Sequence, residues 1–246
     1  METTVKNGLS SNAIKIIAAI TMFIDHLGFM LFPQVRILRI IGRLSMPLFA
    51  YMIAQGCRYT KNKLKHFLTI FSLAVVLQVV YYVYSREMKL SILFTFSFSI
   101  LLIYALQYFK ETLFDKDKKV YYKILVGIVA VFAVLAVRYI CKNVRVDYGF
   151  RGCLLPVFAA LFHPTKNTNV KLLDRLDTHP VHLSAFAVGL IYLVMGSSQI
   201  QTYSLLSLVI LLFYSGERGK LNMKYFFYIF YPAHLLLLEI LKLIIH

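Results

Sequence analysis

Apolar stretches of membrane-spanning length recur along almost the whole of this 246-residue chain, and they leave little room for a soluble fold. A helix needs about 20 mostly apolar residues to cross a hydrocarbon core. Nine segments approach or reach that length: residues 13–32, 37–56, 66–85, 90–109, 121–140, 149–163, 180–196, 201–214 and 224–245. The sixth and eighth are short, so they are expected to be tilted, partly re-entrant or merged with a neighbour. Strict alternation of polar and apolar residues is missing, which argues against a membrane β-barrel. With 59% hydrophobic residues the chain lies outside the range of ordinary soluble domains. The expectation is all-α: a polytopic transmembrane helical bundle, one integral-membrane domain over residues 1–246.

The formal net charge of +16 reads as a topology signal, not as a nucleic-acid signal. Basic residues concentrate in alternate short loops, and the bias predicts a cytoplasmic N-terminus and a C-terminus outside. Arg36, Arg39, Arg138, Arg145 and Arg151 break the pattern, because they gather at segment ends on the disfavoured side. An anion-binding site or intramembrane ion pairs account for them. The first apolar run lacks a small-residue cleavage pattern and is interrupted by Asp25-His26, so it reads as an uncleaved helix. Cys57, Cys141 and Cys153 show no metal spacing. Buried free thiols are expected, with a Cys141–Cys153 pair as the alternative.

Asp25 and His26 sit inside the first apolar segment, and Arg36, Arg39 and Arg43 follow at helical spacing i, i+3, i+7. That spacing places the three guanidiniums on one helix face. An ionisable group in a bilayer costs about 2.5–3.5 kcal/mol on insertion scales unless it is paired or wet. The face is therefore expected to look inward, towards Asp25 or towards a phosphate or carboxylate. Gly42 permits close approach beside Arg43. His26 can take and return a proton near neutral pH. Residues i and i+1 of a helix diverge by about 100°, so Asp25 is expected to balance charge and not to orient His26. Two further places attract attention. Asp147-Tyr148-Gly149 opens a segment at a membrane edge, and Arg218 with Lys220 flanks Gly219 in a tight basic turn. In the last segment Tyr231-Pro232-Ala-His234 is expected to kink the helix and aim His234 into the bundle.

Taken in order, Asp25-His26, Arg39-Ile-Ile-Gly-Arg43-Leu-Ser-Met-Pro47-Leu-Phe49, Gln55-Gly56, Asp147-Tyr-Gly149-x-x-Gly152, Tyr214-x-Gly216-x-Arg218-Gly219 and Phe227-Tyr-x-x-Tyr231-Pro-x-His234 resemble the TraX family over residues 13–240. Ser215 and Glu217 depart from the more usual Asn and Lys of that turn. The family is named for a membrane protein that acetylates the N-terminus of conjugative pilin. It is similar to the membrane acyltransferases that O-acetylate bacterial surface sugars. The resemblance implies a multi-pass protein of the bacterial inner or plasma membrane and acetyl-CoA as acyl donor. It also implies a membrane-associated peptide or glycan as acceptor, and no metal. Carried over residue by residue, His26 matches the catalytic histidine, Arg39 and Arg43 the arginine motif and His234 the last-helix histidine. On that frame His26 is the expected base with Asp25 beside it, and Arg39, Arg43, Arg218 and Lys220 are the expected donor-binding cations. His234, Tyr231, Asp147 and Tyr148 are expected on the acceptor side. Direct transfer and an acetyl-histidine intermediate both stay open, as do a proton-coupled transporter and a non-catalytic assembly factor for conjugation or secretion.

Overall fold

The computed structural model describes residues 8–165, 171–219 and 223–245. Its helices are α1 (Ser11–Met30), α2 (Arg36–Gly42), α3 (Ser45–Tyr59), α4 (Lys63–Ser85), α5 (Ile92–Phe114), α6 (Val120–Asn143), α7 (Gly149–Ala160), α8 (Lys171–Leu176), α9 (His179–Val194), α10 (Ser207–Leu212) and α11 (Lys224–Ile245). A 3₁₀ helix, Gln199–Leu206, runs directly into α10. Six helical stretches among the described residues are long and apolar enough to cross a membrane: Ser11–Met30, Arg36–Tyr59, Lys63–Val83, Ile92–Phe114, Val120–Asn143 and Phe226–Ile244. The other three expected segments form the shorter apolar helices Gly149–Ala160, His179–Val194 and Gln199–Leu212. The segment expected at 37–56 is interrupted at Arg43-Leu44. There the backbone bonds tighten to i−3, from Arg43 N to Ile40 O and from Leu44 N to Ile41 O, both at 3.2 Å. A one-turn tightening of this kind re-aims the side chains that follow it.

The chain divides into two compact units. One is Ile53–Gly189; the other joins residues before Ile53 to those from Leu190 onward.

In the first unit α5 packs against α4, α6 and α7. Leu102, Val137 and Cys153 form a buried apolar centre, with Phe98, Ala133, Phe150 and Val157 against it. Two-residue strands, β1 (Lys89–Leu90) and β2 (Arg145–Val146), pair in parallel just before α5 and α7. Thr95 Oγ1 donates to the Asp147 carbonyl at 2.6 Å, which ties the start of α5 to the end of β2. The Cys141 and Cys153 thiols are free and 3.8 Å apart. Lys110 Nζ donates to the carbonyls of Leu161 and His163, where α7 ends and acceptors would otherwise be orphaned.

A polar cluster in this unit was not anticipated from the sequence. Arg58 Nη2 donates to Asp177 Oδ2 at 2.8 Å, and His182 Nε2 lies 2.8 Å from Asp177 Oδ1. The His163 and His182 rings meet edge to face at 4.7 Å. Burial works against the Asp177 carboxylate, but the His182 hydrogen bond and the Arg58 guanidinium outweigh it, and its pKa lies below the ordinary 3.8. A carboxylate depressed in this way stabilises the fold fully above its unfolded pKa and loses that contribution as pH falls through the folded value.

We therefore expect the melting temperature of the detergent-purified protein to fall as pH drops below about 3.8, the ordinary Asp value. Asp177→Asn should remove that acid limb and cost on the order of 3 kcal/mol at neutral pH, because it leaves Arg58 half-buried and uncompensated. Melting curves of both proteins between pH 3 and pH 7 check this. An unchanged profile in the variant would remove Asp177 from the stability account.

Candidate functional site

The second unit is organised around α1. Its first amides are capped by a turn distant in sequence. Leu9 N donates to Phe213 O at 2.6 Å, Ser11 N to Glu217 O at 2.7 Å and Asn12 N to Arg218 O at 3.3 Å. Ser215 N returns a bond to Leu9 O at 2.9 Å. Gly219 adopts φ +88, and a Cβ there would press on the Ser10 side chain that caps the helix. Gly216 and Gly219 thus allow a left-handed turn to lie against the helix end.

α11 runs alongside α1 in the same direction. Lys15 Nζ lies 5.9 Å from the Phe227 ring near the start of both helices, and further along His26 meets His234. The starts of α1 and α11 therefore share one end of this unit, and their far ends share the other.

About two-thirds of the way along α1, Asp25 gathers both arginines. Arg39 Nη1 donates to Asp25 Oδ2 at 2.8 Å and to the Asp25 carbonyl at 3.0 Å. Arg43 Nη2 donates to Asp25 Oδ1 at 2.5 Å. Two cations thus face one anion, and the cluster carries a net charge of about +1. Gly42 makes this possible, because a Cβ at that position would overlap the Asp25 carboxylate. The close approach expected at Gly42 is thus made by Asp25 itself. Arg43 Nη1 also reaches Gln201 Oε1 at 3.4 Å, joining the 3₁₀ helix to the network. Sequence reasoning missed Gln201, which lies 158 residues from its partner. The available signal was a three-residue spacing of Gln201, Ser204 and Ser207 in an apolar segment.

His26 does not lean on its neighbour Asp25. Its Nδ1 lies 3.0 Å from Met22 O and 3.3 Å from His234 Nε2. The Nδ1 of His234 lies 2.8 Å from Phe230 O. A carbonyl only accepts, so both rings carry their proton on Nδ1. His234 Nε2 is then an acceptor for His26, and His26 Nε2 is left as the basic atom of that ring. The rings are tilted by 57° with centroids 5.0 Å apart. Phe230 stacks on His234 at 5.1 Å, and Tyr231 meets it edge-on at 5.6 Å.

Of the residues singled out in the sequence, Asp25, His26, Arg39, Arg43, Tyr231 and His234 come together in this unit. Arg36 is exposed at the start of α2. Arg218 lies at the opposite end of α1 from Asp25, in the turn that caps the helix. Asp147 and Tyr148 belong to the other unit, at the end of β2. There Asp147 Oδ1 is 3.2 Å from Lys89 Nζ, and Tyr148 adopts φ 60. Lys220 lies outside the described residues.

Comparison with known proteins adds three findings. A family model described as TraX protein matches residues 10–242. An uncharacterized protein of Rickettsia prowazekii (strain Madrid E) is 39% identical over 66 residues, which cover 27% of this chain and 25% of that protein. No solved structure matches.

The Asp25 bridge predicts strong coupling. Asp25→Asn and Arg43→Gln should each destabilise by about 3 kcal/mol. The double variant should be more stable than additivity allows by at least about 1 kcal/mol. Gly42→Ala should be as damaging as either, because its methyl displaces the carboxylate. Chemical denaturation in detergent measures all four, and additive effects would dissolve the proposed bridge.

Proposed function

The chain belongs to the TraX family, and on that premise we propose that it is an integral-membrane acetyltransferase of the bacterial cytoplasmic membrane. It would move an acetyl group from acetyl-CoA to an amine or hydroxyl of a membrane-associated peptide or glycan. The observation that carries this reading is the His26–His234 pair. Both rings are fixed by the carbonyl one turn back, and His26 follows directly on Asp25, whose carboxylate gathers two guanidiniums.

The chemistry follows from that arrangement. His26 Nε2 takes the proton of the acceptor as its nitrogen or oxygen attacks the thioester carbonyl. The new C–N or C–O bond forms, the C–S bond breaks, and the proton passes on to the departing thiolate. His234 steadies the imidazolium that forms transiently, because its Nε2 accepts from His26 Nδ1. Negative charge develops on the thioester oxygen, and a field of two guanidiniums against one carboxylate favours it. Arg39 and Arg43 in this role polarise the reacting end of the donor. Arg218, at the other end of α1, suits the nucleotide end.

The test is transfer of labelled acetyl from acetyl-CoA by the purified protein to itself, to membrane extracts and to model amines. His26→Ala should lower turnover by 10²–10⁴-fold, on the order expected for a general base, with its melting temperature nearly unchanged. Arg39→Lys and Arg43→Lys should both fail to restore turnover, since an ammonium cannot reproduce two planar donors. Wild-type transfer by His26→Ala would remove the base from the mechanism. Absence of transfer by the wild type to any acceptor, without release of CoA, would favour a non-catalytic role.

A further inference from the structure

The 3₁₀ helix and the first residue of α10 carry three buried polar atoms that no hydrogen bond of the fold uses. Gln201 is 3% exposed, and Ser204 and Ser207 are 0% exposed. Gln201 Nε2, Ser204 Oγ and Ser207 Oγ have no hydrogen-bond partner. Three other buried helical hydroxyls behave differently. Thr21 Oγ1 donates to Ile17 O at 2.9 Å, Ser97 Oγ to Leu93 O at 2.8 Å and Ser99 Oγ to Thr95 O at 2.9 Å. Each returns its proton to a carbonyl one turn back, the usual fate of such a group.

The three orphans are also aligned. A 3₁₀ helix has three residues per turn, so side chains at i and i+3 eclipse one another. Residues 201, 204 and 207 therefore stack in one line, at intervals of about 6 Å. Arg43 donates to Gln201 Oε1, which leaves the amide nitrogen as the donor of that side chain. The line presents an N–H donor followed by two hydroxyls. An eight-residue 3₁₀ helix is itself unusual, since runs beyond 3–4 residues are uncommon and often mark a hinge. A buried polar group left unpaired works against the fold. Three in register offer a row of hydrogen-bond donors.

We propose that this line seats the pantetheine arm of the acyl donor, an inference that rests on the acetyl-CoA reading above. The arm carries two amide carbonyls about four bonds apart, near 5 Å when extended, which matches the step of the ladder. The ends agree as well. From Gln201 to Phe213 the chain advances about 12 Å as 3₁₀ helix and about 9 Å as α-helix. From Asn12 to Asp25, α1 advances about 20 Å. The two paths are tied together at both ends: by Arg43 between Asp25 and Gln201, and by the 213–218 turn on the start of α1. An acyl-pantetheine-diphosphate chain of about sixteen bonds extends roughly 20 Å. Its thioester then lies at the Gln201 end, beside Arg43 and Asp25, and its diphosphate reaches the turn that carries Arg218. The poorer hydrogen-bond geometry of the 3₁₀ helix makes it the segment that opens at least cost to admit so thin a chain.

The test is equilibrium binding of CoA, pantetheine and adenosine 3′,5′-bisphosphate to the full chain in detergent, wild type against Ser204→Ala/Ser207→Ala. The double variant should bind CoA and pantetheine about 10- to 100-fold more weakly, as loss of two hydrogen bonds predicts. Its affinity for adenosine 3′,5′-bisphosphate should be unchanged. Without ligand it should melt no lower than the wild type, because alanine removes two unpaired buried hydroxyls. Unchanged CoA affinity in the variant would overturn the seat and leave the donor standing. A wild type that binds no CoA would overturn the donor reading itself, and the seat with it. A ligand-free variant that melts lower would assign the hydroxyls to the fold and also defeat the proposal.

Discussion

One carboxylate organises the second unit. Asp25 lies in an apolar helix where it could not persist alone, and it holds two guanidiniums that could not persist without it. The consequence is geometric before it is chemical. α1 and α2 are drawn together closely enough that only glycine fits at position 42. Arg43, held there, reaches onward to Gln201. An ion cluster that would be a weak stabiliser by area alone becomes the joint of three helical segments, because each member loses its compensation if another is removed.

The same cluster sets the character of the neighbouring histidines. His26 follows Asp25 directly yet points elsewhere, as the helical rotation between adjacent residues requires. Carboxylate and imidazole are thus kept apart, and neither neutralises the other. The His26 imidazole is held by the Met22 carbonyl and by the His234 ring, itself held by the Phe230 carbonyl, and these fix a tautomer without adding charge. The arginine cluster keeps its surplus positive charge. The acyl transfer proposed above would need both a base and a place for developing negative charge, and His26 and Asp25 with its arginines would supply them from successive residues of one helix.

Much of this was legible in the chain. Long apolar runs fixed where helices form, because hydrophobic length is a local property. The Asp25–arginine pairing was readable too, since its members lie 14 and 18 residues apart within one helical hairpin. The break at Arg43-Leu44 was not readable, because a shift from i−4 to i−3 bonding leaves the hydropathy unchanged. Gln201 and the Arg58–Asp177–His182 cluster were missed for a different reason. Their partners lie 158 and 119 residues away, and nothing local marks such pairs. The His26–His234 contact, 208 residues apart, was not foreseen; the sequence pointed only to a His234 turned into the bundle beside Pro232. Gln201, Ser204 and Ser207 recur with a period of three, which does not stand out against the 3.6-residue period of α-helices.

The 3₁₀ conformation has one more consequence, for how far the chain reaches. The residues of Gln199–Leu212 are fewer than those of the helices of membrane-crossing length. As α-helix throughout they would extend about 21 Å. With eight of them wound as 3₁₀ helix the extent grows to roughly 25 Å, most of the ~30 Å of a hydrocarbon core. Overwinding trades lateral bulk for length, so a short and slender segment can match longer neighbours in depth while occupying less of the cross-section. In a helical membrane protein that saved cross-section is room, and here it is saved along the polar line.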